Sequence, residues 1–220
     1  SQRIGEKPWS LLTSILLAIH FYNLFFAVSD MALFTLFEII DMLLMTSIVG
    51  YIFSDMFRKP VHHDYDPLTN VGFRGNWNDM LFAMLITAPG ILLHELGHKF
   101  VALGFGFEAT FQAAYMFLIL GFFLKLINFP FIFFVPAYVS ILGAATPLES
   151  SLMAFAGPFV NLVLWLAPLL LVKLKFIKKK NEATWLLVSK INMFLFIFNM
   201  LPIPGFDGNK VFMGLIEHFF

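Results

Sequence analysis

Five consecutive residues near the middle of the chain, His94-Glu95-Leu96-Gly97-His98, form the pattern with the clearest chemical meaning. On a helix the two histidines stand at positions i and i+4, so both imidazoles lie on one face and can bind one zinc ion. The glutamate beside the first histidine can then act as general base toward a water molecule that the metal activates. Apolar residues precede the pattern, and ionisable groups at membrane depth are costly enough to indicate a functional site.

A catalytic zinc site needs a third protein ligand and one open position. The chain has no cysteine, so this ligand must be His, Asp or Glu. His20 and His218 are isolated near predicted helix ends, and Glu149 lies in a predicted loop with no informative spacing. Asp207 follows a long apolar segment, in a stretch broken by two prolines and a glycine that can turn a carboxylate into a helix bundle. Asp207 is the preferred candidate, although Asp-Gly alone is ordinary turn chemistry.

The composition is that of an integral membrane protein. Of the 220 residues, 60% are hydrophobic and 13% are charged, whereas a soluble domain has about 25% charged residues. The mean hydropathy is +0.84. The formal net charge is zero, so we expect the lipid bilayer as the surroundings and no nucleic acid as a partner.

The apolar segments predict an all-α integral membrane protein, a polytopic helix bundle of about five to seven spans. The clear candidates are residues 9–28, 31–53, 80–105, 154–171 and 184–201. Residues 111–126 and 129–142 are each shorter than the roughly 20 residues that a span needs, so we expect a re-entrant hairpin there, with two full spans as the alternative. We predict one domain, 1–220, with N-terminal helices and a polar loop in 1–79 and the catalytic core in 80–208.

The distribution of positive charge predicts an orientation. Five lysines lie between residues 173 and 180, where the last two clear spans are joined. Cytoplasmic loops are enriched in Lys and Arg, so this loop is predicted to be cytoplasmic. Counting spans backward places most other cations on the same side, whereas Lys99, Lys125 and Lys210 lie on the same side as Asp207. The charge count therefore puts the metal site nearer the non-cytoplasmic face.

Three motifs together resemble the site-2 protease family of intramembrane zinc metalloproteases. They are His94-Glu95-Leu96-Gly97-His98, then Gly157-Pro158-Phe159-Val160-Asn161, and finally Asn199-Met200-Leu201-Pro202 followed by Asp207-Gly208. The resemblance implies that His94, His98 and Asp207 bind one zinc ion and that Glu95 is the general base. It also implies that Asn161 holds the substrate backbone or stabilises the oxyanion, whereas taken alone this residue would be read as a helix-to-helix hydrogen-bonding group.

The resemblance further implies hydrolysis of peptide bonds within or near the transmembrane segments of membrane-protein substrates. Two features depart from the family. Its members often have a glycine-paired β-hairpin after the first metal-binding helix, and the apolar residues 111–142 contain no such pair. Family members also generally place the site nearer the cytosol, which conflicts with the charge count.

Two other functions fit parts of the pattern. The first is a non-proteolytic membrane subunit that retains a metal site, but a structural site does not need a base beside its ligand and more often has a fourth protein ligand. The second is a metal transporter, which would carry polar groups along several spans. Apart from the metal motif, the carboxylates within the predicted spans of this chain are Glu38 and Asp41. The sequence therefore favours a zinc-dependent intramembrane endopeptidase.

Overall fold

The computed structural model describes residues 33–56, 77–129 and 135–220. In this part of the chain there are six α-helices and one two-stranded sheet. In chain order they are α1 (Leu36–Phe53), α2 (Trp77–Gly104), β1 (Glu108–Ala113), α3 (Tyr115–Leu126), β2 (Ala137–Leu142), α4 (Pro147–Lys173), α5 (Glu182–Asn199) and α6 (Asp207–Phe219). The predicted span 9–28 and most of the predicted polar loop lie outside the described residues.

Among the helices that the structure describes, α1, α2 and α4 are long and apolar enough to cross a membrane. They coincide with three of the predicted spans, 31–53, 80–105 and 154–171. The predicted span 184–201 corresponds to α5, which is 18 residues long. It is not among the described helices that are long and apolar enough to cross a membrane. Ser189, Lys190 and Asn192 lower its hydropathy. The total of five to seven spans stays a prediction.

Reciprocal hydrogen bonds between a threonine and a glutamate mark where α1 and α4 begin. At α4 the hydroxyl of Thr146 accepts a hydrogen bond from the Glu149 amide, and Glu149 accepts one from the Thr146 amide. Thr35 and Glu38 make the same pair of bonds at α1. Such capping boxes satisfy amides that have no partner within the helix. The position of Glu149 agrees with its rejection as a metal ligand.

The all-α prediction is wrong in one region. Strands β1 and β2 pair antiparallel, with Glu108 opposite Leu142 and Ala113 opposite Ala137, and α3 lies between them in the chain. A β-hairpin thus follows the first metal-binding helix even though the glycine pair expected from the resemblance is missing. Residues 111–142 were predicted to form a re-entrant hairpin or two full spans, whereas the described residues there form parts of two paired strands and one short helix. Short apolar runs do not distinguish a strand from a buried helix segment, so the sequence did not predict the strands.

Polar and apolar contacts hold this hairpin against α1. Met45 and Val49 of α1 share a buried cluster with Phe111 and Leu118. Asp41 accepts hydrogen bonds from the Ala113 amide and the Tyr115 hydroxyl. A carboxylate therefore covers the outer edge of β1, which limits pairing with other strands there.

Helix α4 is central to the remaining helices, because it packs against α2, α5 and α6. The crossing with α2 is close: a Cβ atom on Gly97 would lie 2.8 Å from the Ala156 carbonyl oxygen. By its internal contacts the chain divides into two units, Ser1–Ile39 and Ile40–Phe220. The hairpin and the residues of the candidate site lie in the second unit.

Candidate metal centre

The three predicted metal ligands meet in space. His94 and His98 lie one turn apart on α2, and Asp207 is the first residue of α6. The Nε2 atoms of the two histidines are 3.1 Å apart. The Asp207 Oδ2 atom lies 3.0 Å from His94 Nε2 and 3.3 Å from His98 Nε2. The segment 200–206 thus returns the chain to α2 after α5 ends, as the prolines and glycine predicted.

Hydrogen bonds behind each imidazole fix which nitrogen faces the other ligands. His94 Nδ1 lies 2.6 Å from Asn161 Oδ1, and His98 Nδ1 lies 2.7 Å from the carbonyl oxygen of Met153. Both partners are acceptors, so each Nδ1 carries the proton and each Nε2 presents a lone pair. Partners of this kind orient metal-binding histidines and fix their tautomer.

The resulting donor set fits a zinc ion. Two imidazole nitrogens and one carboxylate oxygen converge within 3.3 Å of one another, an arrangement that a bound metal cation stabilises. Ligand atoms placed about 2.0–2.1 Å from a tetrahedral zinc lie about 3.3 Å from one another, close to the three observed separations. Three protein ligands leave a fourth position open, as in catalytic zinc sites.

The charge state of Asp207 suits this role. This residue lies outside the three candidate spans. Burial raises the pKa of its carboxyl, but contact with the His94 and His98 imidazoles more than offsets this and holds the pKa below its ordinary value. The group is therefore an anion near neutral pH and available to a metal.

The predicted base, Glu95, lines the same cavity as the three ligands. The cavity has a volume of about 470 Å³, and Glu95 is 8% exposed. Within the part of the chain that the structure describes, no hydrogen bond engages its carboxylate. A carboxylate beside a metal site with free acceptor positions can take up a proton from water.

Asn161 occupies a different place from the one expected of an oxyanion donor. The side chain is fully buried, and its oxygen accepts the proton of His94 Nδ1. Its amide nitrogen donates to the Gly90 carbonyl and to Asn192 Oδ1, both at 3.0 Å. In this arrangement both amide hydrogens are used within the protein, so Asn161 orients His94. Its oxyanion role stays a prediction.

Two further residues shape the site, and the sequence assigned a role to neither. Gly157 approaches the imidazoles so closely that a Cβ atom there would lie 2.3 Å from His98 Nε2 and 2.7 Å from His94 Nε2. It was named only as the first residue of one motif of the family resemblance. Asn192 lies fully buried on α5 and contacts Asn161. A polar residue within an apolar helix was the available signal for Asn192.

The polar loop also carries His62, His63, Asp64 and Asp66, but adjacent side chains rarely point at one ion, and these four residues lie outside the described residues. Among the described residues, His94, His98 and Asp207 form the cluster of metal-binding side chains. Fold and site together define a chain in which two buried histidines, on a helix of membrane-spanning length, converge with one aspartate to form a candidate metal centre.

Comparison with known proteins supports this class. The chain is 39% identical over 134 residues to a Methanocaldococcus jannaschii protein named "Putative zinc metalloprotease MJ0611", covering 60% of this chain and 69% of that protein. It is 28% identical over 140 residues to a Synechocystis protein named "Putative zinc metalloprotease sll0528", covering 64% of this chain but 32% of that protein. No family model matches the chain, and no solved structure matches it.

The extent of the first match establishes the family. The chain belongs to the family of zinc metalloproteases that includes the Methanocaldococcus jannaschii protein, in agreement with the resemblance to site-2 proteases.

Proposed function

We propose that this protein is a zinc-dependent intramembrane endopeptidase that hydrolyses peptide bonds within or near transmembrane segments of membrane proteins. One observation carries the proposal: Glu95 lines the same cavity as the converging His94, His98 and Asp207. Glu95, His94 and His98 lie on α2, which is long and apolar enough to cross a membrane, and Asp207 begins α6. The names of the two relatives support zinc and peptide hydrolysis.

Each group of residues in the site has a separate role in the proposed reaction. A bound zinc ion supplies a Lewis acid that polarises the scissile carbonyl and lowers the pKa of water. Glu95 accepts a proton from the attacking water and delivers it to the leaving nitrogen, a transfer worth about 10²–10⁴ in rate. His94, His98 and Asp207 hold the ion, and Asn161 and the Met153 carbonyl hold the two imidazoles.

The hairpin supplies a surface for an extended substrate. The Ala114 amide donates to the Pro136 carbonyl, and the register continues from that pair. In an antiparallel ladder hydrogen-bonded and non-bonded pairs alternate, so Ala137, Val139 and Ile141 direct their backbone groups away from β1. All three line the cavity. A substrate helix that unwinds can therefore add as a strand to this edge and expose its carbonyls.

The test uses the Glu95→Gln variant of the full chain. Wild type and variant are reconstituted in lipid vesicles with a panel of fusion proteins, each carrying one transmembrane segment with helix-breaking residues. Glutamine has nearly the same shape but cannot accept the proton, so cleavage should fall by about 10²-fold or more. Zinc content should stay at one ion per chain.

The other outcomes are equally informative. Equal turnover by wild type and variant would exclude Glu95 as the base. Loss of zinc from the variant would make Glu95 a ligand. Zinc binding by the wild type with no cleavage of any panel member would favour a non-proteolytic membrane subunit.

A further inference from the structure

A chain of hydrogen bonds runs from α5 through α4 to the metal-binding imidazole of His94. Asn192 Nδ2 donates to the Val188 carbonyl oxygen at 2.8 Å. Asn192 Oδ1 then accepts from Asn161 Nδ2 at 3.0 Å, and Asn161 Oδ1 accepts from His94 Nδ1 at 2.6 Å. Asn161 and Asn192 are both fully buried, so no bulk water replaces these partners.

The direction of this chain is determined at its far end. A backbone carbonyl accepts and never donates, so the amide nitrogen of Asn192 must face Val188. Its oxygen must then face Asn161. A reversed amide would place two acceptors against each other at Val188 and two donors against each other at Asn161. The Gly90 carbonyl, which also accepts from Asn161 Nδ2 at 3.0 Å, imposes the same direction. Only one orientation of each amide satisfies every group.

From this geometry we infer that Asn192 is a positioning residue for the metal centre, acting through Asn161 to hold His94 with its Nε2 lone pair toward the ion. Asn192 reaches neither the ion nor the cavity lining. Its effect is on which nitrogen of His94 carries the proton and on how the ring is oriented. The inference rests on the metal site and is independent of whether the protein cleaves peptides.

Close packing makes the arrangement specific to this position. A Cβ atom on Gly90 would lie 2.8 Å from Asn192 Oδ1, so α2 and α5 approach each other here only because residue 90 is glycine. The contact brings the Asn192 amide within reach of α4 as well. A buried polar network of this kind specifies one arrangement when every member has a partner.

The first test compares Asn192→Ala with a matched control, Ser189→Ala, in the full-length protein. Ser189 lies one turn earlier on α5, is also buried, and donates to the Trp165 carbonyl of α4 at 2.7 Å. Both variants thus lose one buried contact between the same two helices, but only Asn192 leads to His94. Zinc affinity is measured by competition with a chelator, and the coordination geometry by the absorption spectrum of the cobalt-substituted protein.

We expect Asn192→Ala to weaken zinc binding about tenfold and to alter the cobalt spectrum. Outer partners of metal ligands are worth about 10–100-fold in affinity, and the lower end applies because the Gly90 carbonyl still engages Asn161. Ser189→Ala should lower thermal stability but leave zinc affinity and the spectrum unchanged. Equal zinc affinities for Asn192→Ala and Ser189→Ala would overturn the inference.

A double-mutant cycle then separates positioning from general loosening of the helices. If Asn192 acts through Asn161, the Asn192→Ala change should have almost no effect on zinc affinity in an Asn161→Ala background. Additive losses would show that Asn192 acts by another route and would refute the inference. Asn192→Leu, which fills similar space but cannot accept a hydrogen bond from Asn161, provides the same comparison if the alanine variant does not fold.

Discussion

Gly157 sets how closely α4 can approach the metal-binding face of α2. An added methyl group would lie 2.3 Å from His98 Nε2, inside the space that the ion and its ligands require. We predict that Gly157→Ala abolishes zinc binding at micromolar metal concentrations while the helices still form. Atomic absorption on the purified protein, together with circular dichroism, checks this.

Gly104 provides the control for this prediction. It also lies on a helix, at the end of α2, but a Cβ atom there would contact nothing within 4 Å. Gly104→Ala should keep one zinc ion per chain and alter stability by no more than about 1 kcal/mol. Zinc retained at wild-type affinity in Gly157→Ala would mean that α4 can move away from α2 without cost to the site.

A bound metal ion would join two helices, α2 and α6, that are not consecutive in the chain. His94 and His98 belong to α2 and Asp207 to the first turn of α6. A ligand that binds only the folded state at 100 times its dissociation constant stabilises it by about 2.7 kcal/mol. Removing zinc with a chelator should therefore lower the melting temperature, as measured by calorimetry in detergent.

Asp207→Asn tests whether zinc stabilises the folded protein by linking α6 to α2. The amide keeps the shape of the side chain but not the negative charge, so the variant should show a much smaller zinc-dependent rise in melting temperature than the wild type. A full rise in the variant would indicate that the ion is held without Asp207.

The outer edge of β2 leads to a prediction about substrate cleavage. Val139→Pro removes one outward amide hydrogen, and proline is tolerated on edge strands. We expect lower cleavage of the fusion proteins with unchanged zinc content, as shown by the same vesicle assay. Val139→Ala, which keeps the amide hydrogen, is the control and should retain most of the activity. Equal cleavage by the two variants would argue against strand addition at this edge.

What the sequence predicted and what it missed follow from the range of the interactions involved. The helix over residues 80–105, with His94 and His98 on one face, was predicted from local patterns and is observed as α2. Strands β1 and β2 are paired across the intervening α3, and their apolar residues are equally compatible with helices. The contact of Asn161 with Asn192 depends on how α4 and α5 pack, which no local pattern contains.

At the scale of the whole molecule, the metal centre lies away from the lysine-rich loop. Gly157, which contacts both imidazoles, is ten residues into α4, or about 15 Å at 1.5 Å per residue. Lys173, where α4 ends, is about 24 Å further along. The described structure thus agrees with the sequence in placing the lysines and the site toward opposite ends of the same helix.

The side of the membrane on which each end lies is a prediction from charge. Lysine-rich loops are enriched in the cytoplasm, so residues 173–180 should be cytoplasmic and the site should lie nearer the opposite face. Single cysteines can test this, because the chain contains none. On intact cells an impermeant thiol reagent should label Glu217→Cys, an exposed position on α6, and should not label Lys178→Cys until the membrane is permeabilised. Labelling of Lys178→Cys on intact cells, with protection of Glu217→Cys, would reverse the orientation and place the metal centre nearer the cytosol.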